Sequence, residues 1–383
     1  MNEFDLKKLI SDSEISKNYN INNIFEERNV YVYGAGSAFH WLYEILIKNY
    51  NLKNIVGVID KKFNSGEIFY GFNTFNSIDI DNLLYSKESI LIVCLNDFEL
   101  TKQIKKDQSN NFFNIISINE IYELQNPFNL PKIEKRKEFF KKELKNILFS
   151  FSMLSDDKSK KIFYDYIKIH LTQVPETISK NNPEDQFIDK EVFNISNIET
   201  IIQCGADFDV MKKIFNDVPK LKNFLCCEAS KNSFNKLKNH GVVKLIEMLN
   251  SKHINTYATN KAIWSNSNES LSINETDSGF GSMVNKANND DFLVEATTID
   301  ELVNNKKIQP DLITFDIEGS ETNALYGCKC TIKSYKPLLG VSTYHKVDDL
   351  WNLPKLVYSL NNKYNFQLRN YTGFSCETVL YAQ

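Results

Sequence analysis

The sequence predicts an α/β protein built from two doubly wound domains joined by a helical segment. Three observations carry that prediction. A strand-like run, Asn29 to Tyr33, meets Gly34-Ala35-Gly36, then a helical run and a second strand that ends at Asp60. Much later, the stretch LITFDIEGSE runs four strand-forming residues, Leu312 to Phe315, into Asp316 and Glu318, with Gly319 for a turn and a helical run behind it. Between Thr200 and Tyr344 strand and helix patterns alternate, and two strand-like runs close the chain. Alternation of this kind builds parallel sheets with helices on both faces, which present their chemistry at the carboxyl ends of the strands.

The first domain is expected over residues 1–128. Residues 1 to 28 read as helical and polar; Ser37 to Tyr50 is a helix, and NIVGVI (Asn54 to Ile59) is the second strand. Glycines let a backbone approach a phosphate, a helix N-terminus attracts it, and an acid closing the next strand can hold a ribose. Gly34, Gly36 and Asp60 are therefore the candidate nucleotide-site residues of a Rossmann-like unit, with Asp60 standing 24 positions after Gly36. Phe39 occupies the place of the third fingerprint glycine. Strands at Ser89 to Leu95 and Asn114 to Ile118, with helices at Ser77 to Tyr85 and Asp97 to Lys106, complete the domain. It carries no catalytic pair, and it resembles the N-terminal Rossmann-like domains that accompany bacterial sugar-modifying enzymes, with Asp60 to Gly66 as the turn after the second strand.

Residues 129–192 form the joining segment. Apolar and charged residues recur at helical spacing through KIEKRKEFFKKELKNILFSF and again through KSKKIFYDYIKIHL. Residues 173 to 192, with two prolines, are an irregular lead-in to the second domain, residues 193–383. There the expected strands are Thr200 to Cys204, Phe224 to Cys227, Thr256 to Trp264, Leu312 to Phe315, Leu338 to Tyr344, Phe366 to Arg369 and Thr378 to Ala382. Helices are expected at Val210 to Phe215, Ser233 to Asn239, Thr298 to Asn304 and Glu321 to Cys328, and a hairpin within Ser265 to Ala287. Ser320 is the expected cap of the helix after the acidic turn.

Bulk properties exclude several classes. The 383 residues are 42% hydrophobic and 25% charged with a formal net charge of −4, which leaves no electrostatic footprint for nucleic acid. No apolar run is long enough to span a bilayer and the N-terminus does not read as a leader, so a cytoplasmic protein is expected. Its seven cysteines sit mostly in apolar runs, as buried thiols do. Cys328-x-Cys330 lacks a second pair or a neighbouring histidine, so no metal site is expected.

The motifs of the second domain go further. The strand ending in DIEGSE, the helix with ALYG, then KP, a strand running into YHK, a helix with DLW and the closing ETVLYA resemble the C-terminal half of FkbM-type methyltransferases. DQFIDKEVF, the acid at Glu228, NKAIWS and TTIDEL fit the same pattern upstream. The resemblance implies a class I S-adenosylmethionine (SAM) methyltransferase fold with a mixed seven-stranded sheet. It implies transfer of a methyl group to a hydroxyl of a sugar, glycan or sugar-nucleotide precursor. The implied cofactor site is a turn at Gly205, Ala206 and Asp207, Glu228 on the ribose, the backbone of Ala262 and Ile263 beside the adenine, and Asp316 near the transferred methyl. An attacking hydroxyl must lose a proton, so a base is wanted within reach. His345 is the first candidate, with Asp316 or Glu318 second.

One motif departs from the family pattern. The loop after the first strand reads Gln203-Cys204-Gly205-Ala206-Asp207-Phe208-Asp209, with Gln203 where an acid is usual and Asp209 where a glycine is usual. The alternative is a catalytically degenerate methyltransferase-fold protein that binds a nucleotide or sugar as a regulatory module. Partners on either reading are small molecules or glycans, with a nucleotide or sugar nucleotide at the first domain; oligomerisation is left open.

Overall fold

The computed structural model describes residues 1–13, 28–43, 54–64, 66–83, 86–95, 97–118, 120–121, 131, 133–172, 178–237, 254–267, 269–274, 283–286 and 293–383. The chain divides into two compact units. One takes Ser13–Arg136 with Lys168–Glu176; the other takes Met1–Asp12, Lys137–Ile167 and Thr177–Gln383.

The smaller unit holds the strands β1 (Val30–Tyr33), β2 (Ile55–Ile59), β3 (Ile68–Phe69), β4 (Phe72–Phe75), β5 (Ile90–Val93) and β6 (Asn114–Ser117). They form one sheet in the order β3-β4-β2-β1-β5-β6, with every pairing parallel except β3 with β4. The strands β3 and β4 were not expected from the sequence. Both faces are buried: Val30, Val32, Ile90 and Ile92 pack with Phe39, while Tyr31, Leu91 and Val93 pack with Ile104 and Phe112. This two-sided burial is why the β1 and β5 sequences read as unbroken apolar runs rather than alternating ones. The expected helix at Ser77 to Tyr85 is a 3-10 turn, Ser77–Asn82, started by Asn76, whose side chain accepts from Ile78 N. Its last expected residues, 84 and 85, lie outside the described residues.

The larger unit contains β7 (Thr200–Cys204), β8 (Asn223–Cys227), β9 (Asn255–Thr259), β10 (Ala262–Ile263), β11 (Ser270–Asn274), β12 (Met283–Lys286), β13 (Leu293–Thr297), β14 (Leu312–Phe315), β15 (Leu338–Ser342), β16 (Phe366–Asn370) and β17 (Thr378–Ala382). Its main sheet runs β16-β17-β15-β14-β7-β8-β9, parallel throughout except that β17 is antiparallel to both β15 and β16. The mixed seven-stranded sheet expected from the family motifs is therefore present. Strand order reverses between β7 and β14, and a crevice opens at the carboxyl ends of strands at such a switch point.

Two sequence expectations change here and one holds. The strand expected over Thr256 to Trp264 is two strands, β9 and β10, broken at Asn260, whose side-chain amide donates to the carbonyls of Glu228 (2.8 Å) and Ala229 (3.0 Å). The expected hairpin is present as antiparallel β11 and β12; its tip, Asp277 to Ser282, lies outside the described residues. β13 was not expected; it pairs with β10 and β11 to make a second, four-stranded sheet.

Two long helices, Ile133–Met153 and Asp157–Thr172, precede the main sheet in sequence. Within the larger unit Phe139 and Phe140 meet the fully buried Trp351, and Ser150 Oγ donates to Trp351 O at 2.6 Å. Ser159 Oγ accepts from Leu368 N at 2.8 Å, and Asp156 pairs with Arg369, which holds its carboxyl down at about 2 against the effect of burial. Each large side chain buried in this way contributes roughly 1.5–3 kcal/mol.

Candidate active site

The site begins at the end of β7. Cys204 is the last strand residue, and Gly205 turns the chain with φ +86°. A Cβ built on Gly205 would stand 1.8 Å from the carbonyl oxygen of Asp316, so only glycine fits between the two loops. Asp207 then starts the helix Phe208–Asp217 by accepting from the amides of Asp209 (2.7 Å) and Val210 (2.9 Å). Asp209 is exposed in that first turn and does not line the cleft. Gln203 is buried; its amide nitrogen reaches Asp207 O at 3.4 Å and its oxygen has no hydrogen-bond partner.

Glu228 ends β8 beside this turn. Its Oε2 accepts from Ala206 N at 3.0 Å and its Oε1 from Ser230 N at 2.7 Å. Burial raises its pKa, and the two amides offset only part of that. The smaller unit repeats the device: Gly34 turns with φ +103°, and Asp60 at the end of β2 accepts from Ala35 N at 2.8 Å. There Lys62 Nζ also donates to Ala35 O at 2.7 Å. A Cβ on Gly34 would meet the Cys94 carbonyl oxygen at 2.4 Å, so this glycine serves the fold whatever it binds. Gly36 has open space around it.

The third loop follows β14. Asp316, Ile317, Glu318 and Gly319 make a tight turn in which Glu318 and Gly319 both adopt left-handed backbone, φ +54° and +91°. A non-glycine residue held there costs about 1–2 kcal/mol, and such strain is found where a side chain must be aimed. Ser320 does not cap the following helix, Glu321–Tyr326, with its side chain. Glu321 fastens the turn instead, because its Oε1 accepts from Ile317 N at 3.0 Å.

Gly205, Ala206, Asp207, Glu228, Ala262, Ile263, Asp316 and Glu318 all line one open cleft of about 840 Å³, together with Cys227, Ala229, Ser233, Lys261, Val284, Ile317 and Ser320. Every residue expected at the cofactor site from the sequence therefore meets at one place. His345, after β15, lies behind Asp316 and Glu318. Its Nδ1 stands 2.8 Å from Glu321 Oε1, and its Nε2 stands 3.4 Å from Asp316 Oδ1 and 3.4 Å from Glu318 Oε2. Burial works against a charge on this ring, but Glu321, then Asp316 and Glu318, outweigh it and push the pKa up to about 10. The carboxylates thus favour a charged ring, and an imidazolium has no lone pair to offer as a base.

The same cluster raises the pKa of Asp316, first through burial and then through Glu377. Sequence reasoning missed two partners here. Tyr344 places its hydroxyl 3.1 Å from Asp316 Oδ1 and 3.1 Å from Glu377 Oε1, and Gln186 Nε2 donates to Glu377 Oε2 at 2.6 Å. Tyr344 and Glu377 stand inside the YHK and ETVLYA motifs, so the motifs contained them without giving them a role. Among the described residues no group of three or more His, Cys, Asp or Glu side chains is set to hold a metal ion, and no helix is long and apolar enough to cross a membrane.

A seven-stranded sheet with one antiparallel strand inside its edge and an acid-rimmed cleft at the switch point belongs to the methyltransferase-type α/β class. Residues 203–368 match the family model described as the methyltransferase FkbM domain. The fold is similar to the crystal structure of a methyltransferase FkbM from Methylobacillus flagellatus KT, with TM-score 0.68, 18% sequence identity, and 99% of this chain and 97% of that chain covered. A spermidine synthase from Thermotoga maritima aligns at TM-score 0.29 and 10% identity over 51% of this chain and 58% of that one, too distant to bear on the argument. No curated protein matches the sequence.

Proposed function

We propose that the protein is a SAM-dependent O-methyltransferase acting on a hydroxyl of a sugar, glycan or sugar-nucleotide precursor. The observation that carries this reading is the convergence of Gly205, Ala206, Asp207, Glu228, Ala262, Ile263, Asp316 and Glu318 on one cleft. The residues suit the cofactor. Gly205 and Ala206 line the cleft without bulky side chains, Glu228 offers a carboxylate at a strand end where it would hold a ribose, and Glu318 brings negative charge towards a sulfonium. When bound, SAM supplies an electrophilic methyl group. The chain's own part is to hold the acceptor hydroxyl in line and take its proton. With His345 charged, that proton falls to a carboxylate, and Asp316 is the one we assign, with Glu318 beside it. His345 then stabilises the ionised form of Asp316 rather than acting as base. Calorimetry with SAM tests the first half: absence of both heat and thermal shift would end the reading. A mass-spectrometric screen of sugar nucleotides and short glycans for a methyl gain tests the second.

The degenerate, ligand-binding reading rests on Gln203, whose buried side-chain oxygen has no hydrogen-bond partner in the first motif. It predicts that SAM does not bind. For the smaller unit we propose a ligand-holding role without chemistry, for a nucleotide or sugar nucleotide. The repeated glycine turn with Asp60 supports it. Titration of the protein with nucleoside diphosphate sugars, followed through Gly36 and Asp60 amide resonances, checks it; unmoved resonances would refute it.

A further inference from the structure

The hydroxyl of Tyr344 stands midway between two carboxyl groups, 3.1 Å from Asp316 and 3.1 Å from Glu377. We propose that Asp316, Tyr344 and Glu377 form a proton relay that strips Asp316 of its proton and so readies it as the base; the catalytic part of this rests on the methyltransferase reading above.

A phenol has one proton and can donate to only one of its two neighbours. If both contacts are hydrogen bonds, the second must be donated by a carboxylic acid. Two arrangements satisfy both bonds. In one, Asp316 is the acid and donates to Tyr344, which donates to the Glu377 carboxylate. In the other, Tyr344 donates to the Asp316 carboxylate and Glu377 is the acid. They interconvert when two protons each hop along an existing bond, with no heavy atom displaced and no net change in charge. Gln186, donating to Glu377 Oε2 at 2.6 Å, steadies the Glu377 carboxylate and so favours the first arrangement at rest. The hop to the second leaves an ionised Asp316. During transfer the acceptor's oxygen–carbon bond forms, the sulfur–methyl bond breaks with its electrons left on sulfur, and the acceptor's proton goes to Asp316.

The backbone is set for this contact. Glu377 is held at φ +51°, in the left-handed region, at the start of β17. The surrounding charges act in both directions. Glu377, then Glu318 and Glu321 from the β14 loop and its helix, disfavour negative charge on Asp316, while His345, on the β15 side, favours it. Glu318 opposes and His345 assists ionisation of Glu377, and Cys376 lies beside Tyr344. Asp349 and Lys346 stand behind His345 and Glu321. Burial and these carboxylates raise Asp316, Glu377 and the Tyr344 phenol alike, as a group holding a resident proton requires. Tyr344 and Glu377 touch no reacting atom on this account and are positioning residues.

The test is a pH titration of the full chain labelled with carbon-13 at the Asp and Glu carboxyls, followed by NMR for the wild type, Glu377→Gln and Tyr344→Phe. The expected result is an Asp316 resonance that titrates well above the ordinary carboxylate range, and that both reports and is reported by the Glu377 transition. In Glu377→Gln its proton affinity falls at least tenfold. In Tyr344→Phe the two resonances no longer share a transition. With an acceptor in hand, both variants lower kcat and shift the acid limb of its pH profile while SAM affinity stays. An Asp316 that titrates as an ordinary carboxylate, or that is unmoved in Glu377→Gln, overturns the relay. Failure of the wild type to bind SAM would sink the methyltransferase reading instead and leave the shared proton standing.

Discussion

Glu228→Gln separates two duties of one side chain. The carboxylate accepts two backbone amides, Ala206 N at 3.0 Å and Ser230 N at 2.7 Å. The amide that replaces it has a single acceptor oxygen, so one N–H loses its partner and faces an NH2 group. A lost hydrogen bond to a charged group costs roughly 1.5–3 kcal/mol. Ala206 lines the cleft and can recruit water, so the stability loss is expected near the lower end. The proposed ribose contact is affected separately. Losing one charged hydrogen bond to the ribose costs roughly 1.5–3 kcal/mol, or roughly 10- to 150-fold in affinity. Glu228→Ala is the poorer probe, because it strands both amides at once. Calorimetry with SAM, paired with urea unfolding followed by circular dichroism, reads the two effects apart. SAM affinity within about threefold of wild type in the folded Gln variant would refute the ribose role, and an unchanged unfolding midpoint would refute the fastening role.

The remaining expectations concern stability, pH and reactivity. His345 has its pKa raised from 6.5 to about 10 in the fold, so protonation favours the folded form. That contribution is complete below pH 6.5 and is lost as pH rises towards 10, by roughly 2–5 kcal/mol. Urea midpoints measured across this window should fall, and His345→Gln should flatten the fall; an equal slope in both proteins would contradict the charged assignment. Gly205→Ala places a Cβ 1.8 Å from Asp316 O at a positive φ, so a loss of at least about 1–2 kcal/mol is expected from backbone strain alone; an unchanged melting curve would dispose of the close-contact argument. Among the cysteines, Cys330 is exposed whereas Cys94, Cys204, Cys226, Cys227 and Cys328 are buried. A thiol reagent should therefore modify Cys330 first in the native protein, more slowly than a free thiol because Asp300 raises its pKa; mass spectrometry finding Cys226 or Cys227 modified before Cys330 would contradict the packing.

The strand ends were legible because hydrophobic runs that stop on an acid, at Asp60, Glu228 and Asp316, are local signals. So were the glycine turns at Gly34 and Gly205, although their real constraint, a carbonyl from another loop, lies 60 or more residues away in sequence. What escaped was decided by contacts between distant segments. The helix expected to run from Glu321 to Cys328 stops at Tyr326, and Gly327 beyond it lies so close to Trp264 that a Cβ there would be 2.0 Å from the Trp264 carbonyl oxygen. Tyr344 meets Glu377 only because β17 returns antiparallel beside β15. The three carboxylates that raise the His345 pKa share no local pattern. The strand β3, with two residues, is too short to show a period.

The contact between Gly205 and Asp316 has a mechanical consequence. The loop that cradles the proposed cofactor and the loop that bears the proposed base touch through backbone alone, with less clearance than one methyl carbon needs. Neither loop can shift towards the other, and a side chain cannot be inserted to tune the gap. The spacing of these two loops is thus set by main chain rather than by rotamers, and on the proposed function cofactor docking and base placement are tied together. Adjustment for different acceptors must come from the far side, where Tyr344, His345 and Glu377 hang on β15 and β17. Libraries aimed at changing the acceptor should vary the segments flanking those strands and leave the seam between residues 205 and 316 untouched.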